Sequence, residues 1–207
     1  FDSQHHADTH IEGIVHHMLI NVSALLDQTE DGGHLIAVFA YLSADAFGVL
    51  LHLYYGHRSS GVMDYLVRCY DRGFSGNPSD ANDNRAYSLD VLPQEYPCLG
   101  TGDYRRTALA VQLDNGVKSC DLRYDSYAIT QDKYSLEGLP AVYAEAGDSV
   151  ETLHIYLKDK WRSGVEAELL YGVLPELDII TRSVIIRNNG EKNNDTAKQH
   201  AMAKAVR

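Results

Sequence analysis

Between Thr152 and Leu157 the chain alternates strictly: Leu153, Ile155 and Leu157 are separated by Thr152, His154 and Tyr156. A little further on, Val165, Ala167, Leu169 and Tyr171 alternate with Glu166 and Glu168 in the same way. A period of two places the apolar residues on one side only if the backbone is extended, so both stretches are predicted as half-buried strands. The β-branched run "IITRSVIIRNNG", Ile179 to Gly190, adds a third strand closed by a turn. Upstream, Ala108 to Leu113 and Val117 to Tyr124 flank "DNG", in which Asn115-Gly116 supplies the positive-φ residues of a tight hairpin. With no convincing amphipathic helix between these strands, the pattern predicts an all-β, antiparallel β-sandwich.

One segment competes with that reading. "HLIAVFAYLSADAFGVLLHLYY", His34 to Tyr55, is mostly apolar and as long as a membrane span. Asp45 sits in its middle, where an ionised carboxylate is costly in lipid, and "DAFG" has the composition of a turn. The segment is therefore predicted as a hairpin of two strands, Leu35 to Leu42 and Val49 to Tyr55. No membrane association is expected.

Charge narrows the partners. The formal net charge is −11 and no cluster of lysine and arginine stands out, which argues against nucleic acid. Cys69, Cys98 and Cys120 are scattered, contain no C-x-x-C pair and cannot all be bridged, a usage that suits a reducing compartment. The first residues, "FDSQHHADTHIEGIVHH", lack the build of a signal peptide, and the expected location is the cytoplasm. His6 and His10 have the four-residue spacing of helical metal ligands, but a histidine-dense and otherwise patternless stretch reads better as leader or tag. No metal site and no cofactor are expected.

The most unusual stretch is "SLDVLPQEYPCLGTGDYR", Ser88 to Arg105. Pro93 and Pro97 fix backbone angles, Gly100 and Gly102 permit tight turns, and Asp103 and Arg105 are placed to pair locally. Tyr96 and Tyr104 offer rings with a polar tip, the chemistry of an interface. The segment reads as a rigid docking surface, with packing inside the sandwich as the rival. Asp90, Glu95 and Asp103 also supply carboxylates for acid/base work, although acidic residues are common in any loop. Trp161, in "LKDKWRSGVEAEL", is either a sugar-stacking platform or a partly buried anchor beside a strand turn.

The segment has company. "LHLYYG" (51–56), "DRGFSGNPSD" (71–80), "RAYSLDVLPQEYPCLGTGDYR" (85–105), "DLRY" (121–124), "LEGLPAVY" (136–143), "ETLHIYLKD" (151–159) and "DIITRSVIIRNNG" (178–190) occur in one order. Together they closely resemble the N-terminal domain of family 36 glycoside hydrolases, the bacterial-type α-galactosidases. The resemblance runs from about Asp45 to Gly190. It implies that the sandwich is part of a β-supersandwich, followed in the parent by a (β/α)8 barrel and a C-terminal β-sandwich. It further implies a retaining enzyme, often tetrameric, that removes terminal α-galactose from melibiose- and raffinose-type sugars with two carboxylates. In the family both are aspartates on the barrel, the nucleophile within a "KWD"-type motif, and no such motif occurs here.

This chain is accordingly expected to carry no catalytic residue and to serve domain docking, oligomer assembly and the shaping of a neighbouring subunit's sugar pocket. For that last role the resemblance points to Asp71, in "YDRGFS", and Arg85, in "NRAYSLD". A carboxylate can accept from two sugar hydroxyls and a guanidinium can donate a planar fork. The competing role for the pair is a structural ion pair within a loop shaped by Gly73, Gly76 and Pro78. Departures from the family are also present: residues 1–33 do not align, and "RRTA" lacks the proline that follows Arg105 in the family. Residues 34–190 are thus read as the sandwich and 191–207 as a polar, truncated continuation. Two other classes remain open, a free-standing carbohydrate-binding module and a purely structural oligomerisation domain.

Overall fold

The computed structural model describes residues 19–21, 39–44, 47–56, 89–90, 92–100, 103, 105–136, 138, 142–145, 147–177 and 179–190. Seven strands are present among them: β1 Leu19–Asn21, β2 Phe39–Ala44, β3 Leu50–Gly56, β4 Leu122–Thr130, β5 Glu151–Asp159, β6 Val165–Leu174 and β7 Ile179–Asn188. They form two antiparallel sheets, ordered β1-β2-β3 and β4-β5-β6-β7. The described residues contain no α-helix, only a 3₁₀ turn at Pro175–Leu177. Both sheets contribute to a single core, in which Val49, Leu51 and Leu53 meet Leu153, Ile155, Leu157, Leu169 and Val173. The architecture is the all-β sandwich that the alternating pattern predicts.

The hairpin predicted between His34 and Tyr55 is present. β2 and β3 pair antiparallel, with Phe47 and Gly48 in the bend between them and Gly48 at φ 78°. Only glycine takes that angle without steric cost, which is why the chain reverses here. No helix among the described residues is long and apolar enough to cross a membrane.

The alternation in β5 places Leu153, Ile155 and Leu157 in the core, as expected. β6 departs from the half-buried reading, since Glu168 and Leu170 on its other face are buried as well. Glu168 is engaged by His154 and Arg187, and residues 132–134 reach over the same sheet: the Thr152 hydroxyl donates to the Asp132 carbonyl (2.6 Å), and the Tyr134 hydroxyl lies 3.1 Å from Thr181 Oγ1 and 2.9 Å from Ser183 Oγ. Gly172 permits the approach, because a Cβ there would sit 3.0 Å from the Lys133 side chain and 2.7 Å from Thr181 Oγ1.

The hairpin predicted around "DNG" forms only at its tip. Gly116 has φ 80°, Leu113 N–H donates to the Val117 carbonyl (2.8 Å), and Asn115 Oδ1 accepts from Val117 N–H (3.0 Å). The flanks are not strands, and β4 begins at Leu122 rather than Val117. Their backbone groups are taken by the proline-rich segment instead. Ala108 N–H donates to the Pro97 carbonyl (2.9 Å), Leu109 bridges Cys98 in parallel, and Cys120 N–H donates to the Leu99 carbonyl (3.0 Å).

Candidate functional site

The proline-rich segment is built into the sandwich rather than laid upon it. His52 N–H donates to the Pro93 carbonyl (2.7 Å) and Glu95 N–H to the Leu50 carbonyl (2.9 Å), so the segment adds a short antiparallel rung to β3. Pro93 can occupy that rung because its ring nitrogen has no proton to pair and only its carbonyl is used. Leu89, Leu92 and Cys98 are buried in the core on either side.

Glu95 carries the segment's central contact. Its carboxylate is buried, the residue being 5% exposed. Oε2 lies 2.6 Å from His52 Nδ1 on β3, and Oε1 lies 2.6 Å from Arg182 Nη2 on β7 and accepts from the Tyr171 hydroxyl on β6. Arg182 also donates to the Glu95 backbone carbonyl (3.0 Å). One carboxylate therefore ties a strand of the first sheet to two strands of the second. Burial, and then the adjacent Glu95 charge, push the Tyr171 phenol well above its ordinary range, so it stays a donor.

Asp103 organises the rest of the segment. Both its oxygens receive the Arg105 guanidinium in a fork, at 2.9 and 2.8 Å, and the Arg105 backbone N–H donates to Oδ1 (2.9 Å). The same Arg105 reaches the carbonyls of Leu89 (2.9 Å) and Leu92 (2.6 Å), and the Gln94 amide donates to Asp103 (2.7 Å) and to Leu89 (3.0 Å). The local Asp103–Arg105 pair expected from the sequence thus closes the whole loop on itself. A second fork, Arg123 on Asp121 at 2.5 and 2.8 Å, donates to the Phe47 carbonyl (2.9 Å) and pins the β2–β3 bend to β4.

These contacts revise several expectations. Glu95 and Asp103 do not form a carboxylate pair for acid/base work, because each is engaged separately by protein donors. The part of the segment that is described packs into the sandwich as an internal brace. Tyr96 is half-buried and packs against the core, and burial pushes its phenol up to about 12. Trp161 is not a buried anchor: it is 65% exposed in the β5–β6 turn, with Lys160 Nζ 5.2 Å from its ring centroid. Asp71, Arg85, Tyr104, Cys69 and the N-terminal histidines lie outside the described residues. Among the described residues no group of three or more histidine, cysteine and acidic side chains could hold a metal ion.

The His52–Glu95–Tyr171–Arg182 network was not foreseen from the sequence. One signal was there: along β7, Arg182 shares the phase of Ile180, Val184 and Ile186, which places a cation where it can reach a buried acid.

Two carboxyls give the fold a defined acid limit. Burial raises the pKa of Asp103, but the side-chain and backbone hydrogen bonds and charge of Arg105, with the Gln94 amide, outweigh it and hold the carboxyl below its usual 3.8. Glu168, on the outer face of β6, is likewise raised by burial. It is held below 4.5 by His154, whose Nδ1 is 2.7 Å away, and by Arg187. Between the lowered folded values and the ordinary unfolded ones, the unfolded chain binds more protons. The contribution of both groups is complete above about pH 4.5 and is lost as pH falls through the folded values. Urea midpoints measured from about pH 6 down to 3 should fall, and Asp103→Asn should make that fall shallower.

The class defined by this fold is a two-sheet antiparallel domain braced by an internal proline-rich loop. A family model described as the glycosyl hydrolase family 36 N-terminal domain matches residues 48–204. The chain belongs to glycoside hydrolase family 36, as its N-terminal domain. It is 54% identical over 149 residues to the bifunctional alpha-galactosidase/sucrose kinase AgaSK of Mediterraneibacter gnavus, covering 72% of this chain and 16% of that protein. It is 42% identical over 146 residues to the alpha-galactosidase AgaA of Geobacillus stearothermophilus, covering 69% and 19%. Among solved structures, the galactosidase domain of AgaSK superposes with a TM-score of 0.71 at 52% identity, covering 76% of this chain and 22% of that one. A variant of G. stearothermophilus AgaA in complex with raffinose gives 0.68 at 38% identity, again covering 76% and 22%. The chain spans less than a quarter of the length of these relatives.

Proposed function

We propose that this chain is the non-catalytic N-terminal part of an α-galactosidase that hydrolyses terminal α-galactosides such as melibiose and raffinose. The observation that carries the reading is the 54% identity to AgaSK over 149 residues. Relatives solved with raffinose and with stachyose support the substrate class. In this reading the two catalytic carboxylates belong to a barrel elsewhere in the parent, and the sandwich docks against it and takes part in a homo-oligomer. Asp71 and Arg85 close the sugar pocket of a neighbouring subunit, and the parent works in the cytoplasm without a cofactor. Surface suited to docking is present: Tyr127 (48% exposed) and Ile129 (45%) lie on the core-facing row of the edge strand β4.

The test is a comparison of the full-length parent with the isolated chain on an aryl α-galactoside and on raffinose. The parent should turn over both and the isolated chain neither. An inactive parent would sink the reading, as would turnover by the isolated chain that disappears on mutating one of its own residues. The exposed Trp161 favours a second reading, a carbohydrate-binding module in which the indole stacks on a sugar ring. Calorimetry of the isolated chain with raffinose separates the two: binding that is lost in Trp161→Ala supports the module.

A further inference from the structure

Cys98 and Cys120 occupy adjacent stretches of the core. Each is a reduced thiol and only 2% exposed. Cys120 N–H donates to the Leu99 carbonyl at 3.0 Å, and a Cβ on Gly100 would fall 2.4 Å from Ser119 Cβ, so residues 98–100 and 119–120 run side by side. The Cys120 thiol is within hydrogen-bonding reach of the Cys98 thiol. That contact, then burial, push the Cys120 thiol well up, which keeps it protonated and inert in the closed fold. Access is nevertheless near, because Leu99 and Gly100, directly beside Cys98, are exposed.

We propose that Cys98 and Cys120 are an oxidisable dithiol that closes to a disulfide under peroxide and clamps the proline-rich brace to the start of β4. One cysteine sulfur attacks a peroxide oxygen as its thiol proton leaves. The O–O bond breaks, giving a sulfenic acid and one water. The second sulfur then attacks the sulfenic sulfur, its proton leaves with the departing hydroxide as a second water, and the S–S bond forms. Two thiol hydrogens and two electrons are thereby transferred to hydrogen peroxide. Attack follows local opening of the Leu99–Gly100 turn, because neither sulfur is exposed in the closed fold. The loop that closes contains the Asp103–Arg105 fork and the Asn115-Gly116 turn, so the clamp restrains the unfolded chain over a stretch whose described residues include no regular strand.

The full chain is treated with hydrogen peroxide, its remaining thiols are alkylated under denaturing conditions, and peptides are mapped by mass. The expected product is a Cys98–Cys120 link lighter by two hydrogens, formed equally in Cys69→Ser and absent from Cys120→Ser. The linked protein should melt about 5 °C higher than the reduced one, with the gain reversed by dithiothreitol. Thiols that stay unmodified, sulfinic acid without a link, a link through Cys69, or a Cys98–Cys120 link that leaves the melting temperature unchanged would each overturn the proposal.

Discussion

Replacing Glu95 by alanine should destabilise the domain by about 3 kcal/mol, measured as a lowered urea midpoint at unchanged slope. The side chain is buried, and its two oxygens serve three partners from both sheets: His52, Tyr171 and Arg182. Alanine leaves the buried Tyr171 hydroxyl without its acceptor, and it removes the charge opposite Arg182. The loss stays below the upper range for a broken buried ion pair because the Arg182 side chain is 51% exposed and regains water. Tyr171→Phe removes only the neutral donor and should cost about 1 kcal/mol. The double variant separates the network from its parts: if the two losses simply add, the contacts are independent, and Glu95 is not the hub that the geometry indicates.

The second large effect concerns Asp71 in the full-length parent. Asp71→Ala should lower kcat/KM by roughly ten- to a hundredfold, the worth of a hydrogen bond to a charged acceptor when it is made in the transition state. A surface ion pair in the same loop would cost under about 1 kcal/mol of stability and nothing in catalysis. Mixing this variant with one lacking the barrel nucleophile sharpens the distinction. If the pocket is shared between subunits, hybrid oligomers regain activity, because some sites then combine an intact Asp71 with an intact nucleophile. No recovery, with subunit exchange verified independently, would assign Asp71 a structural role and leave the pocket within one subunit.

Much of the sandwich was legible because local periodicity reports burial on one face. Leu153, Ile155 and Leu157 needed no partner to be identified as a core row, and the Asp45–Gly48 break marked the β2–β3 hairpin. The flanks of Asn115-Gly116 were misjudged because turn chemistry fixes the tip alone. Whether residues 108–113 and 117–121 pair with each other depends on what else competes for their backbone groups, and here Pro97, Cys98 and Leu99 do. The turn position of Trp161 was legible but its exposure was not, since a strand turn contains no signal of which side it leaves open.

The sequence by itself determined the strand class, the main turns, the local Asp103–Arg105 pair and the family, because each is written in neighbouring residues or in ordered blocks of them. Only the tertiary structure decided what the proline-rich segment does. Its carboxylate Glu95 meets His52, Tyr171 and Arg182, whose positions are 43, 76 and 87 residues away in the chain. Local periodicity places Arg182 in the apolar phase of β7 but does not say which acid it meets, and a buried charge is tolerated only where such distant partners converge.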